Sequence, residues 1–117
     1  MIEMEAIAKV CHQANKAYCE SLGDMYQTNW EHSPKWQKDS AISGVKFHLN
    51  NPDAKASTTH NSWMNEKLDA GWKWGATKDP ESREHPCIIP FEELPKEQQV
   101  KDILFKAVVD ALRGLVP

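Results

Sequence analysis

HNSWMNEKLDAGWKWG, residues 60–75, carries three of the chain's five tryptophans and changes hydrophobic period midway. Up to Ala70, the set His60, Trp63 (or Met64) and Lys67 recurs at three- and four-residue steps, which places it on one stripe of a helix. A stripe of imidazole, indole and ammonium is unusual for a pure core face. Gly71 ends the pattern. Beyond it Trp72 and Trp74 alternate with Lys73, so an extended segment turns both indoles to one side and the ammonium to the other. The glycines at 71 and 75 permit sharp turns, or let another group come close to the backbone. The stretch therefore reads as a helix that runs into a short, glycine-bounded connector.

Helical signals continue on both sides. Ser57 or Thr58 can cap this third helix. Upstream, Ser33 as N-cap and Pro34 at the first position open a second helix, with Trp36, Ile42, Val45 and Leu49 along its apolar side. Gly44 inside that helix marks a close approach by another helix, and Asn50-Asn51-Pro52 stops it. A first helix follows the apolar series Ile7, Val10, Cys11, Ala14, Ala17 (or Tyr18) and Leu22 up to Gly23, and an ordered loop from Asp24 to His32 links the two. Downstream, Lys78-Asp79-Pro80 turns the chain. The proline-pinned segment from His85 to Phe91 is at most a short edge strand or an extended strap. A last helix begins after Leu94-Pro95, with Val100, Ile103 (or Leu104), Ala107, Val108, Ala111 and Leu112 as its expected buried stripe. The expected fold is mostly α: a small single domain of residues 1–117, about four helices with short extended segments.

Composition narrows the function. The 117 residues suit one core, and 40% hydrophobic with 26% charged residues is ordinary for a globular chain. A net charge of −3 argues against nucleic acid as a partner. No apolar run approaches a membrane span, and the start Met1-Ile2-Glu3-Met4-Glu5 lacks the features of a signal peptide, so a cytoplasmic location and no membrane partner are expected. The spacings of Cys11, Cys19 and Cys87 suit neither a disulfide framework nor zinc, so no metal and no cofactor are expected.

None of the common catalytic motifs is present: no G-x-S-x-G, P-loop, G-x-G-x-x-G or H-E-x-x-H. Cys87 lies two residues from His85, on the same face of an extended segment, but no third group to orient them is visible. The expectation is therefore not an enzyme. The stronger constellation is His60, Trp63, Lys67, Trp72 and Trp74, joined by Lys78 and Arg83. Indole faces stack flat rings, with a purine stacking for about 1–3 kcal/mol per base, and lysine or arginine answers anionic charge. The plainer alternative is that Trp63 and Trp72 only hold the third helix against the last. A second alternative is a protein-docking patch, since tryptophan is enriched at interface hot spots.

The same residues carry a resemblance. His60-x-x-Trp63, Lys67, Gly71-Trp72-x-Trp74-Gly75, Lys78-Asp79, the run from His85 to Phe91, and Leu94-Pro95 resemble the ryanodine receptor repeat, or RyR domain, over a core of 58–113. Residues 1–51, with Cys11-His12-x-Ala14-Asn15-x-Ala17-Tyr18-Cys19 and Pro34-x-Trp36-Gln37, resemble the N-terminal helical extension of stand-alone proteins of this type in bacteria and their phages. Trp74 and Phe91 stand where the family usually has tyrosine, and Gln99 where lysine is common. The resemblance implies a RyR-repeat-like fold and a non-catalytic module for a nucleotide or nucleotide-derived ligand, in a phage-associated or bacterial setting. Because the family's repeats in large channels come in pseudo-twofold pairs, it also implies a homodimer.

Overall fold

The computed structural model describes residues 3–116; Met1, Ile2 and Pro117, the ends of the expected domain, lie outside the described residues. Four helices dominate: α1 (Met4–Ser21), α2 (Lys35–Asn50), α3 (Ala56–Asp69) and α4 (Lys96–Leu112). Short 3-10 turns occupy Trp30–His32, Phe91–Glu93 and Arg113–Leu115. Two two-residue strands, β1 (Lys73–Trp74) and β2 (Glu84–His85), pair in parallel, with Trp74 opposite His85. Among the described residues no helix is long and apolar enough to cross a membrane. The mostly helical fold expected from the periodicity is the one observed.

Two of the stops follow the glycine chemistry. Gly23 (φ +90°) and Gly71 (φ +87°) both adopt the left-handed conformation after a helix. In each case the glycine N–H and the next residue's N–H return to carbonyls of the last turn: Gly23 to Glu20 and Asp24 to Cys19, Gly71 to Leu68 and Trp72 to Lys67. This double closure satisfies carbonyls that the helix leaves free. The starts differ from expectation by one or two residues. Pro34, not Ser33, is the N-cap of α2, and the Ser33 hydroxyl donates to the Asn29 carbonyl instead. Helix α3 begins at Ala56, and Thr58 serves inside its first turn by accepting the Lys55 N–H.

The core joins α1 (Ile7, Ala8, Cys11), Trp30, α2 (Val45) and α4 (Val109). Helix α1 lies along both α2 and α4, whereas α3 packs mainly on α4. Periodicity found these faces but misjudged their edges. Val10 and Leu22 are exposed, while Ala8, His12 and Cys19 are buried. On α4 the buried stripe is Phe105, Val108, Val109 and Leu112, and Ile103 is 52% exposed. Ala107 and Ala111 are exposed as well. The stripe is rotated because α4 must meet α1 on one side and α3 on the other, which a single-helix pattern does not encode. Trp36, expected on the apolar side of α2, is 45% exposed.

Gly44 marks the α2–α4 crossing as expected. A Cβ there would stand 3.0 Å from Cζ of Phe105 and 3.3 Å from Cε1. Gly44→Val is expected to cost roughly 1–3 kcal/mol through overpacking. Gly44→Ala is expected to be nearly neutral, since its better helix propensity, about 1 kcal/mol, offsets a small shift of the ring. Urea unfolding of both variants checks this, and a Gly44→Val protein as stable as the parent would refute the close approach.

Candidate functional site

A cavity of about 280 Å³ lies where the α1–α2–α4 core meets α3 and the two-stranded ribbon. Helix α2 supplies Trp36, Gln37 and Ser40, and α3 supplies Thr59, Ser62, Trp63, Glu66 and Lys67. Trp72, Lys78 and His85 enter from the connector, and Lys101 and Asp102 from α4. Cys11 and Phe105 belong to both the cavity wall and the core side of the molecule. Burial raises the Cys11 pKa to about 12, so this group is a neutral thiol at pH 7.

Aromatic rings converge here through cations and one imidazole. The Lys67 ammonium lies 5.0 Å from the Trp36 ring centroid and 5.2 Å from that of Trp72. Lys78 stands 5.9 Å from the Trp36 centroid. All three separations fall within the range of cation–π attraction. Burial lowers the Lys67 pKa below the usual lysine value, opposed in part by the Glu66 carboxylate and aided by the smaller repulsion from Lys78. His85 meets Trp63 edge-on at 5.1 Å. Burial foremost, then the charges of Lys78, Lys67 and Lys101, push its pKa down to about 4, so the imidazole on this wall is neutral at pH 7. Asp102 is raised to about 7 by burial, only partly opposed by Lys101. With that carboxyl partly protonated, three lysines outweigh Glu66, and the cavity favours negative charge.

The seven residues singled out from sequence separate in space. Trp63, Lys67, Trp72 and Lys78 line the cavity, whereas His60, Trp74 and Arg83 do not. His60, 3% exposed, donates from Nε2 to the Ile89 carbonyl at 2.7 Å and packs on Trp63 and Phe91. It fastens the strap after β2 onto α3. Its Nδ1 is 3.7 Å from Asp102, too long for a hydrogen bond. Trp74 is 55% exposed. Arg83, at φ +56°, donates from its guanidinium to the Ala70 carbonyl at 2.9 Å, so its charge sits at the C-terminal end of α3. Gly75 gives close approach its meaning, because a Cβ there would lie 2.6 Å from Cβ of Glu84.

Sequence reasoning passed over Trp36, Lys101, Asp102 and His85 as cavity residues. Trp36 carried the one available signal, a large amphipathic ring in the first turn of a helix whose other apolar positions are smaller. The pairing of Cys87 with His85 takes a different form from the one imagined. His85 Nδ1 accepts the backbone N–H of Cys87 at 3.0 Å, and the thiol points to Gln98 Oε1 at 3.7 Å. Burial raises the Cys87 pKa. Among the described residues no group of three His, Cys, Asp or Glu is placed to hold a metal ion, and all three cysteines are free thiols.

In comparison with known protein families, the model described as RyR domain matches residues 45–116. The matched region starts within α2, earlier than the expected core of 58–113, and takes in α3, the ribbon, the strap and α4.

Proposed function

The chain belongs to the RyR domain family, and on that premise we propose that it is a non-catalytic module whose cavity binds a nucleotide or a nucleotide-derived molecule. The carrying observation is the Trp36–Lys67–Trp72 arrangement, two indole faces directed at one cation within a mainly cationic cavity. Indoles stack a base, and Lys67, Lys78 and Lys101 answer phosphate charge. At about 280 Å³ the cavity is near the lower end of ligand pockets, which run from roughly 300 Å³, and this favours a single nucleotide unit over a dinucleotide. A non-catalytic role is supported by the inward-held Cys87 thiol and by His85, whose Nδ1 is committed to a backbone N–H. The proposal extends, on the resemblance alone, to a cytoplasmic homodimer in a phage-associated or bacterial setting.

Titration with AMP, ADP-ribose and cyclic nucleotides, followed by tryptophan fluorescence and calorimetry, tests the reading. Saturable binding is expected, weakened about tenfold or more by Trp72→Ala and unaffected by Trp74→Ala. No response from the whole panel at millimolar concentration would overturn it. One observation favours a protein-docking role instead: Trp74, together with Met25 and Tyr26, is exposed and outside the cavity. A partner captured by the parent and lost with Trp74→Ala, without nucleotide binding, would decide for that role.

A further inference from the structure

Lys67 stands where a flat ligand would have to go. Its ammonium is within 5.2 Å of both the Trp36 and Trp72 centroids, so one cation holds the aromatic contacts of both rings. The ion pairs of the described residues use Lys9, Lys16, Lys35, Lys106 and Arg113, and Lys67 is in none of them. Its contacts are the two rings, and the neighbouring Glu66 carboxylate attracts it without forming an ion pair. A second ammonium, that of Lys78, lies 5.9 Å from the same Trp36 ring and repels it. Trp36 is 45% exposed at the start of α2, so this side of the site is open to solvent.

We propose that Lys67 is the resident occupant of the stacking slot, and that the site therefore accepts only molecules that join a flat ring to an anionic group. The ring takes the ammonium's place between Trp36 and Trp72, and the anion receives the displaced ammonium together with Lys78. A neutral ring would have to displace the cation from both indoles and leave it beside Lys78, with only the solvent-exposed Glu66 carboxylate to offset the loss. A free phosphate has no face to stack. This deepens the nucleotide reading and rests on it.

The physical background agrees. Half-buried and close to Lys78, the Lys67 ammonium is held below its usual basicity, so it gains when an anion arrives. Loss of a partly desolvated cation–π contact corresponds to roughly a factor of ten in affinity, and that factor sets the expected discrimination.

AMP, adenosine and inorganic phosphate are the probes, compared on the full chain and on Lys67→Met, which keeps length and apolar contact but removes the charge. For the parent, AMP is expected to bind about tenfold or more tighter than adenosine, with no detectable binding of phosphate. In Lys67→Met, adenosine is expected to tighten while AMP weakens, and the gap closes. Equal weakening of both, or no change in either, would overturn the proposal and leave nucleotide binding standing. Absence of AMP binding to the parent would overturn this proposal, and absence of binding across the whole nucleotide panel would overturn both readings together. NMR on the unmodified protein supplies a check that no folding defect can blur. The Lys67 ε-methylene protons are expected upfield under the two indole ring currents, moving back toward ordinary values on AMP saturation. An unshifted resonance in the free protein, or one that AMP leaves in place while binding, would likewise overturn the proposal.

Discussion

Replacing His60 by alanine is expected to lower the unfolding free energy by roughly 3–5 kcal/mol. The imidazole is 3% exposed and touches three separate pieces of the chain: Trp63 on α3, the Ile89 carbonyl on the strap, and Phe91 in the 3-10 turn before α4. Its removal leaves a void at the join and strands the half-buried Ile89 carbonyl. Truncations of large buried side chains cost about 2–5 kcal/mol, and an unsatisfied buried acceptor adds about 1–3 kcal/mol, with partial relaxation recovering some of the sum. Against a total stability on the order of 5–15 kcal/mol, the melting temperature is expected to fall by about 10–20 °C. His60→Gln, which can still donate to Ile89, is expected to recover part of the loss. Thermal and urea unfolding are the measurements. A cost below about 1 kcal/mol for His60→Ala would mean that the strap is held elsewhere.

Asp102→Asn is expected to act in the opposite direction and to depend on pH. The carboxyl titrates near 3.8 when exposed and at about 7 in the fold, because burial penalises its ionised form. Between those values the unfolded chain has already released the proton that the folded chain still holds. Stability contributed by the protonated group is therefore complete below pH 3.8 and declines as pH rises toward 7. At about 1.4 kcal/mol per tenfold change in proton affinity, the ceiling on that penalty is about 4 kcal/mol. The neutral amide escapes it. Asp102→Asn is thus expected to be more stable than the parent by roughly 2–4 kcal/mol at pH 8, with the difference vanishing near pH 4. His85 adds an opposing slope to both proteins. Its pKa is depressed to about 4 in the fold, so stability is lost as pH falls from about 6.5 toward 4. Comparing variant with parent at each pH removes that shared slope. Equal stability at pH 8, or an advantage for the variant that persists at pH 4, would contradict a buried, reluctantly ionised carboxyl.

These two expectations divide the signature stretch into parts that do different work. His60 is a clamp, Trp63 faces both the clamp and the cavity, and Trp72 and Lys67 belong to the cavity. Trp74 belongs to neither. From sequence, Trp72 and Trp74 look equivalent, because alternation relates them. In the fold β1 is only two residues long and begins after Trp72, so the alternation has no long strand on which to act. The distribution of the five tryptophans makes the same point. Trp30 is 5% exposed in the core, while Trp36 and Trp74 are the exposed pair among the tryptophans.

What the sequence determined by itself is local: four helices, the glycine stops at Gly23 and Gly71, the close approach at Gly44, the proline-pinned strap and the family signature. Each depends on groups within one or two helical turns or on the steric character of a single residue, so spacing and residue type are sufficient. Only the tertiary structure decided which edge of each apolar face is buried, and that Trp36 meets Lys67 and Trp72 across a cavity shared with Asp102 and His85. Those contacts join α2, α3, α4 and the ribbon, and none is implied by the period of any one element. A helix pattern states that an apolar face exists. The neighbours that cover it, and the gap they leave between them, come from packing several such faces at once.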